Sequence, residues 1–219
     1  MSSTRSTEQT PDLLAFRIVH RAMRGDLHRL VAVAGEMADG AAPRDPARAA
    51  ALSEYVSELC DHIHDHHTLE DENLWPVIVR SAGGAADLSD LSDDHSVLDP
   101  LLADVRRAGR ALAAAPADPE AAGRLAAALA TLRDLLDEHI EEEERTIFPI
   151  VLRYVSVADW QGVEKKARRS GRMRFVLPRI EQYAEPAEFA ELRSKAGPAL
   201  LLLALVRRGY RRRLRAIYG

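Results

Sequence analysis

Two stretches of the chain carry residue types at a spacing suited to chemistry. His66-His67-Thr68-Leu69-Glu70 runs on to Trp75-Pro76, and His139-Ile140-Glu141-Glu142-Glu143 runs on to Phe148-Pro149, with His, Glu, an aromatic and Pro at matching positions. In a helix, residues four apart lie one above the other on a single face. His66 and Glu70 therefore point the same way, as do His139 and Glu143. Two such helices facing each other across a bundle bring two nitrogens and two bridging-capable carboxylates within reach of metal ions. The pattern reads as a helical metalloprotein with an iron pair.

Two further histidines fall into the same register. His20 precedes His66 by nearly the distance at which His95 precedes His139, so the duplication maps His20 onto His95. One histidine in a helix is weak evidence for a ligand, whereas four histidines and two glutamates in pseudo-symmetric positions form a pattern. His62 lies one turn before His66 on the same face and reads as a further ligand or as a donor to one. His28, His64 and His67 lie off that face or lack a counterpart, and the reading places them in solvent. Asp71, Glu72, Glu141, Glu142 and Glu144 make the neighbourhood acidic, and most are expected to face water, because a buried like-charged cluster is costly without cations.

The elements needed to position these groups are helices. Asp12 to about Asp39 has helical apolar periodicity, with Gly25 and Gly35 inside it. Asp45-Pro46 and Asp118-Pro119 each give an N-cap followed by proline in the first turn, opening helices to about Ala82 and Val155. Gly83-Gly84 stops the first of these. Another helix runs from Ser89 or Ser92 to about Ala115, where Pro116 ends it. Pro76 and Pro149 predict either matched kinks or helix ends. Beyond Ser156, helices are expected to about Ser170, with Gly171 closing, and over about Phe175–Tyr183, Pro186–Lys195 and Pro198–Ile217. The last has an apolar seam of Leu203, Val206, Tyr210, Leu214 and Ile217. The expected fold class is all-α: a disordered lead-in (Met1–Pro11), an up-down four-helix bundle (Asp12–Val155), and a C-terminal helical extension (Ser156–Gly219) packing on it.

Ligand types alone suit iron, manganese, zinc or cobalt. Ferritin-like di-iron proteins use Glu-x-x-His and are rich in carboxylates, whereas this chain has His-x-x-x-Glu and is rich in nitrogen. Neutral imidazoles offset less of the charge on iron than carboxylates do. That favours the ferrous pair, and with it reversible oxygen binding or mild redox work.

With His20, His66-x-x-x-Glu70, His95 and His139-x-x-x-Glu143 in order, and Trp75-Pro76 and Phe148-Pro149 following, the chain resembles the hemerythrin-like, HHE cation-binding family over about Asp12 to Val155. That resemblance implies a four-helix bundle holding two iron ions bridged by two carboxylates and an oxo or hydroxo group. His20, His66, His95 and His139 would be terminal ligands, and Glu70 and Glu143 the bridges. Oxygen-carrying members have another His four residues after the third-helix His, where this chain has Asp99. Asp99, His62 or a solvent molecule would then complete the coordination.

Composition narrows the rest. A formal net charge of −4 gives no global pointer to nucleic acid or a membrane surface. Arg207, Arg208, Arg211, Arg212, Arg213 and Arg215 read as the solvated, dipole-compatible face of a terminal helix. Cys60 is alone, which excludes an internal disulfide or a cysteine-built cluster. The first ten residues lack a signal-peptide pattern, and the longest apolar run is too short to cross a bilayer. The expectation is a cytoplasmic protein with no nucleic-acid or membrane partner. Three functions follow: a di-iron module binding dioxygen or a related small molecule such as peroxide or nitric oxide; a di-iron oxidase or peroxide-decomposing enzyme with the C-terminal helices over its pocket; or a bundle that metal merely staples.

Overall fold

The computed structural model describes residues 10–83, 88–169, 172–195, 197 and 199–219. Most of the expected lead-in, together with Gly84, Gly171 and Pro198, lies outside these residues. All elements among the described residues are helical: α1 (Leu14–Asp39), α2 (Pro46–Leu69), a π-helical segment (Glu70–Leu74), α3 (Trp75–Ala82), α4 (Ser89–Ala114), α5 (Pro119–Tyr154), α6 (Val157–Arg169), α7 (Met173–Tyr183), α8 (Pro186–Lys195) and α9 (Ala199–Tyr218).

The helix ends follow from local chemistry. Gly40, at φ 80°, closes α1 in the left-handed conformation that glycine adopts without steric cost. Asp45 accepts from the backbone N–H of Arg48, and Asp118 from that of Glu120, so both Asp-Pro openings cap as expected. Ser156 likewise accepts from the N–H of Asp159 at the start of α6.

The short loops after α1 and α4 fold the chain into hairpins. Helix α1 packs on α5, α2 on α4, and α4 on α5, making a four-helix bundle. Helix α7 lies on α1, and α9 on α2 and α7, so Phe175, Tyr210 and Ile217 join the bundle's main core. Gly25 makes this docking possible, since a Cβ there would stand 2.3 Å from the ring of Tyr183.

The prolines do not behave as a matched pair. The chain stays helical through both, but only the first is preceded by a π segment, in which the N–H of Trp75 reaches the carbonyl of Glu70. Proline lacks an N–H and its ring crowds the carbonyl four residues back, which a widened turn relieves. Pro149 stays inside uninterrupted α5. No helix among the described residues is long and apolar enough to cross a membrane.

Buried apolar residues fall into two separate clusters. The larger runs along the bundle and includes Met23, Ile63, Leu98 and Ile140; the smaller, at one end, includes Leu13, Leu74, Trp75, Leu91, Ile147 and Phe148. His20, His66, Glu70, His95 and Glu143 fall between these two sets along the chain, and His139 adjoins Ile140 at the edge of the larger set. A buried polar layer thus crosses all four bundle helices.

Candidate metal centre

Seven side chains converge in that layer. The donor atoms of His20, His66, Glu70 and Glu143 lie within 4.8 Å of one another, as do those of His67, His95 and His139. All seven residues are buried. Glu70 spans the two groups: Oε1 lies 2.8 Å from Nε2 of His66, and Oε2 lies 3.7 Å from Nε2 of His95. Glu143 Oε2 lies 3.4 Å from Nε2 of His20, whose Nε2 is 3.0 Å from that of His66.

These distances are short, yet the polar groups do not satisfy each other. Both carboxylate oxygens of Glu70 and Glu143, with Nε2 of His67 and of His95, are buried without a hydrogen-bond partner. Leaving such groups unmatched in a protein interior is expensive, and cations at their convergence remove the cost. Burial raises the carboxyls of Glu70 and Glu143 well above the ordinary range, with Asp71 and Glu70 respectively adding to the rise. Burial, and then His95, holds His66 down to about 3, and burial also lowers His67. The imidazoles of His66 and His67 are accordingly neutral, the state that a metal ligand requires. The donor set fits a pair of cations.

Two acidic residues, one in each half of the duplication, add supporting contacts. Glu144 Oε1 sits 2.9 Å from Nδ1 of His20, and Asp71 Oδ1 sits 3.0 Å from Nδ1 of His95. A carboxylate accepting at Nδ1 leaves Nε2 unprotonated and turned toward the pocket. The aromatic residues of the duplicated motif cover the same rings: Phe148 stacks on His20 at 6.3 Å and Trp75 on His95 at 6.0 Å between centroids. Phe16 packs against His20 and His66.

The structure brings together the six pseudo-symmetric residues that the sequence singles out, and corrects the reading of His67. That histidine is buried rather than solvated; its ring stacks on His95 at 4.4 Å and meets His139 edge-on at 5.0 Å. Its spacing from Ile63 and Cys60, both buried, is the signal that could have found it, because four and seven residues apart is one helical stripe. His28 and His64 are exposed, as expected. Asp99 is not at the centre: its side chain is 62% exposed and pairs with His64. His62 is buried but belongs to neither donor group; its Nδ1 lies 2.9 Å from Nη1 of Arg179. Burial, then the Arg179 cation, holds this imidazole well below its usual range. Asp71 and Glu144 are partly exposed, as the acidic reading expects, and they also contact His95 and His20, which the sequence pattern does not signal.

The fold and these donors define a helical-bundle cation-binding protein. The match of residues 15–151 to the hemerythrin HHE cation-binding domain model places the chain in that family. Comparisons with curated proteins and with solved structures gave no match.

Proposed function

We propose that the chain is a non-haem di-iron protein that binds dioxygen or a related small molecule, such as peroxide or nitric oxide, for sensing, storage or protection. The observation carrying this reading is the pair of buried donor groups sharing Glu70. In this assignment His20 and His66 would hold one iron, His67, His95 and His139 would hold the other, and Glu70 and Glu143 would be shared between them. The fifth histidine comes from α2, beside His66, and takes the role that Asp99 cannot fill from the surface. Iron bound there supplies reversible one-electron chemistry and a Lewis-acidic position for a small ligand.

The protein's own contribution is positional. Asp71 and Glu144 fix the tautomers of His95 and His20, and Glu70 presents one oxygen to each donor group. Phe16, Trp75, Phe148 and the two apolar clusters keep the layer dry, which strengthens electrostatic interaction there. Burial of all seven donors favours diffusible small ligands over a bulky organic substrate, which ranks binding above oxidase chemistry.

Elemental analysis of purified protein tests the metal, with two irons per chain expected. Anaerobic loading with ferrous iron followed by oxygen then tests the function. A reversible spectral change supports ligand binding, and sustained turnover of peroxide or an organic substrate supports the enzyme instead. A chain that takes up no iron, or one that holds zinc alone after metal-replete expression, refutes the di-iron reading.

A further inference from the structure

The two donor groups are unequal, and a residue outside both stands beside the poorer one. Under the di-iron reading, on which this inference rests, the His20–His66 side has one imidazole fewer than the His67–His95–His139 side. Any open position for an incoming ligand therefore lies on the His20–His66 side. His62 precedes His66 by one turn of α2, and the two ring centroids are 6.4 Å apart.

His62 has its hydrogen placed by its partner. Arginine carries only donors and stays charged, so Nη1 of Arg179, 2.9 Å from His62 Nδ1, must donate to it. A neutral ring accepting at Nδ1 bears its hydrogen on Nε2. Arg179 cannot turn away, because its Nε donates to Asp26 Oδ2 at 2.5 Å and its guanidinium lies over Phe175 at 4.6 Å. Asp26 is held in turn by the hydroxyls of Tyr55 at 2.7 Å and Tyr183 at 2.6 Å. The third guanidinium nitrogen, Nη2, is buried with no partner. His62 and Arg179 thus hold donors that the metal assignment does not use, one of them on a permanent cation, and the His62 ring stands one turn from His66. Helix α7 of the C-terminal region supplies the cation.

We infer that His62, set by Arg179, is a positioning hydrogen-bond donor that favours a small anion over a neutral diatomic on the His20–His66 side of the centre. A neutral ligand gains little from a fixed N–H beside a cation, whereas an anion gains a charge-assisted bond.

The test uses the full chain, loaded with iron, with azide as the anionic probe of the diferric form and nitric oxide as the neutral probe of the diferrous form. Wild type, His62→Met, His62→Gln and Arg179→Lys are compared for iron per chain and for both dissociation constants. His62→Met keeps two irons but binds azide about tenfold more weakly, the loss expected for one charge-assisted hydrogen bond, with nitric oxide changed by less than about twofold. His62→Gln, which retains an N–H, recovers most of the azide affinity. Arg179→Lys keeps a cation for Asp26 but not the fixed bond to His62, and it too weakens azide. Wild-type azide binding in any soluble variant lacking the donor or its fixed partner overturns the inference, as does an equal loss for both probes. Loss of iron in His62→Met overturns it differently, by making His62 a ligand. Absence of an iron pair in wild type refutes the underlying di-iron reading instead.

Discussion

The carboxylate of Asp71 lies 3.0 Å from Nδ1 of His95. Glu144 stands in the same relation to His20, at 2.9 Å. In each half of the duplication the acidic residue that follows the candidate bridging Glu orients a histidine from the neighbouring helix. The supporting contacts therefore share the pseudo-symmetry of the donors, down to the aromatic ring stacked on each oriented histidine.

Asp71→Asn and Glu144→Gln should each lower iron affinity by about 10- to 100-fold, the usual cost of removing a carboxylate behind a ligating imidazole. Both positions are partly exposed, so the apo-proteins should melt close to wild type. Competition with a chelator of known affinity, alongside thermal melts, separates the two effects. Unchanged iron affinity in both variants would remove these carboxylates from the site.

His67→Ala should lower bound iron, by at least about tenfold in affinity if losing a direct ligand costs no less than losing its support. His64→Ala should leave iron untouched, since that ring pairs with Asp99 at the surface. The pair is informative because the two histidines are close in sequence and differ in burial. Equal iron in His67→Ala and His64→Ala would refute the fifth-ligand assignment.

Much of this was legible beforehand. Asp45-Pro46 and Asp118-Pro119 announce their helices because capping is local chemistry, and the His-x-x-x-Glu pairs work because a one-turn spacing survives any packing arrangement. His67 was misread because the interior of a bundle admits a stripe wider than the single line through His66 and Glu70. Helix α4, packing on α2, covers that extra width. The difference between Pro76 and Pro149 was equally hidden, since both carry the same local signal and only one is preceded by a π segment. Arg179, Asp26 and His62 gave no sequence signal as a group. A buried cation drawn from a distant helix depends on how α7 docks, and local periodicity carries nothing about that.

Gly25→Ala tests that docking. Its Cβ would stand 2.3 Å from Cε1 of Tyr183, whose hydroxyl is tied to Asp26, so α7 must move. Overpacking of this kind costs about 1–3 kcal/mol. Gly35→Ala in the same helix meets nothing within 4 Å. It should gain up to about 1 kcal/mol from helix propensity alone. Opposite shifts of the two melting temperatures are expected, and two gains would show that α7 yields freely.

Alkaline titration reports on the same contact from the tyrosine side. Burial, then Asp26, pushes the Tyr210 phenol up to about 12, and the same causes raise Tyr55 and Tyr183. A phenol whose folded value lies above its unfolded one contributes stability that is complete below the unfolded value, near pH 10, and is lost as pH rises through the folded value. The protein should therefore hold its fold to about pH 10 and lose stability between about 10 and 12. Tyrosinate absorbance should rise together with the loss of helical signal rather than ahead of it, because these hydroxyls ionise freely only when α7 and α9 leave the bundle. Full tyrosine ionisation near pH 10 with the helices intact would show that the network around Asp26 is open to solvent.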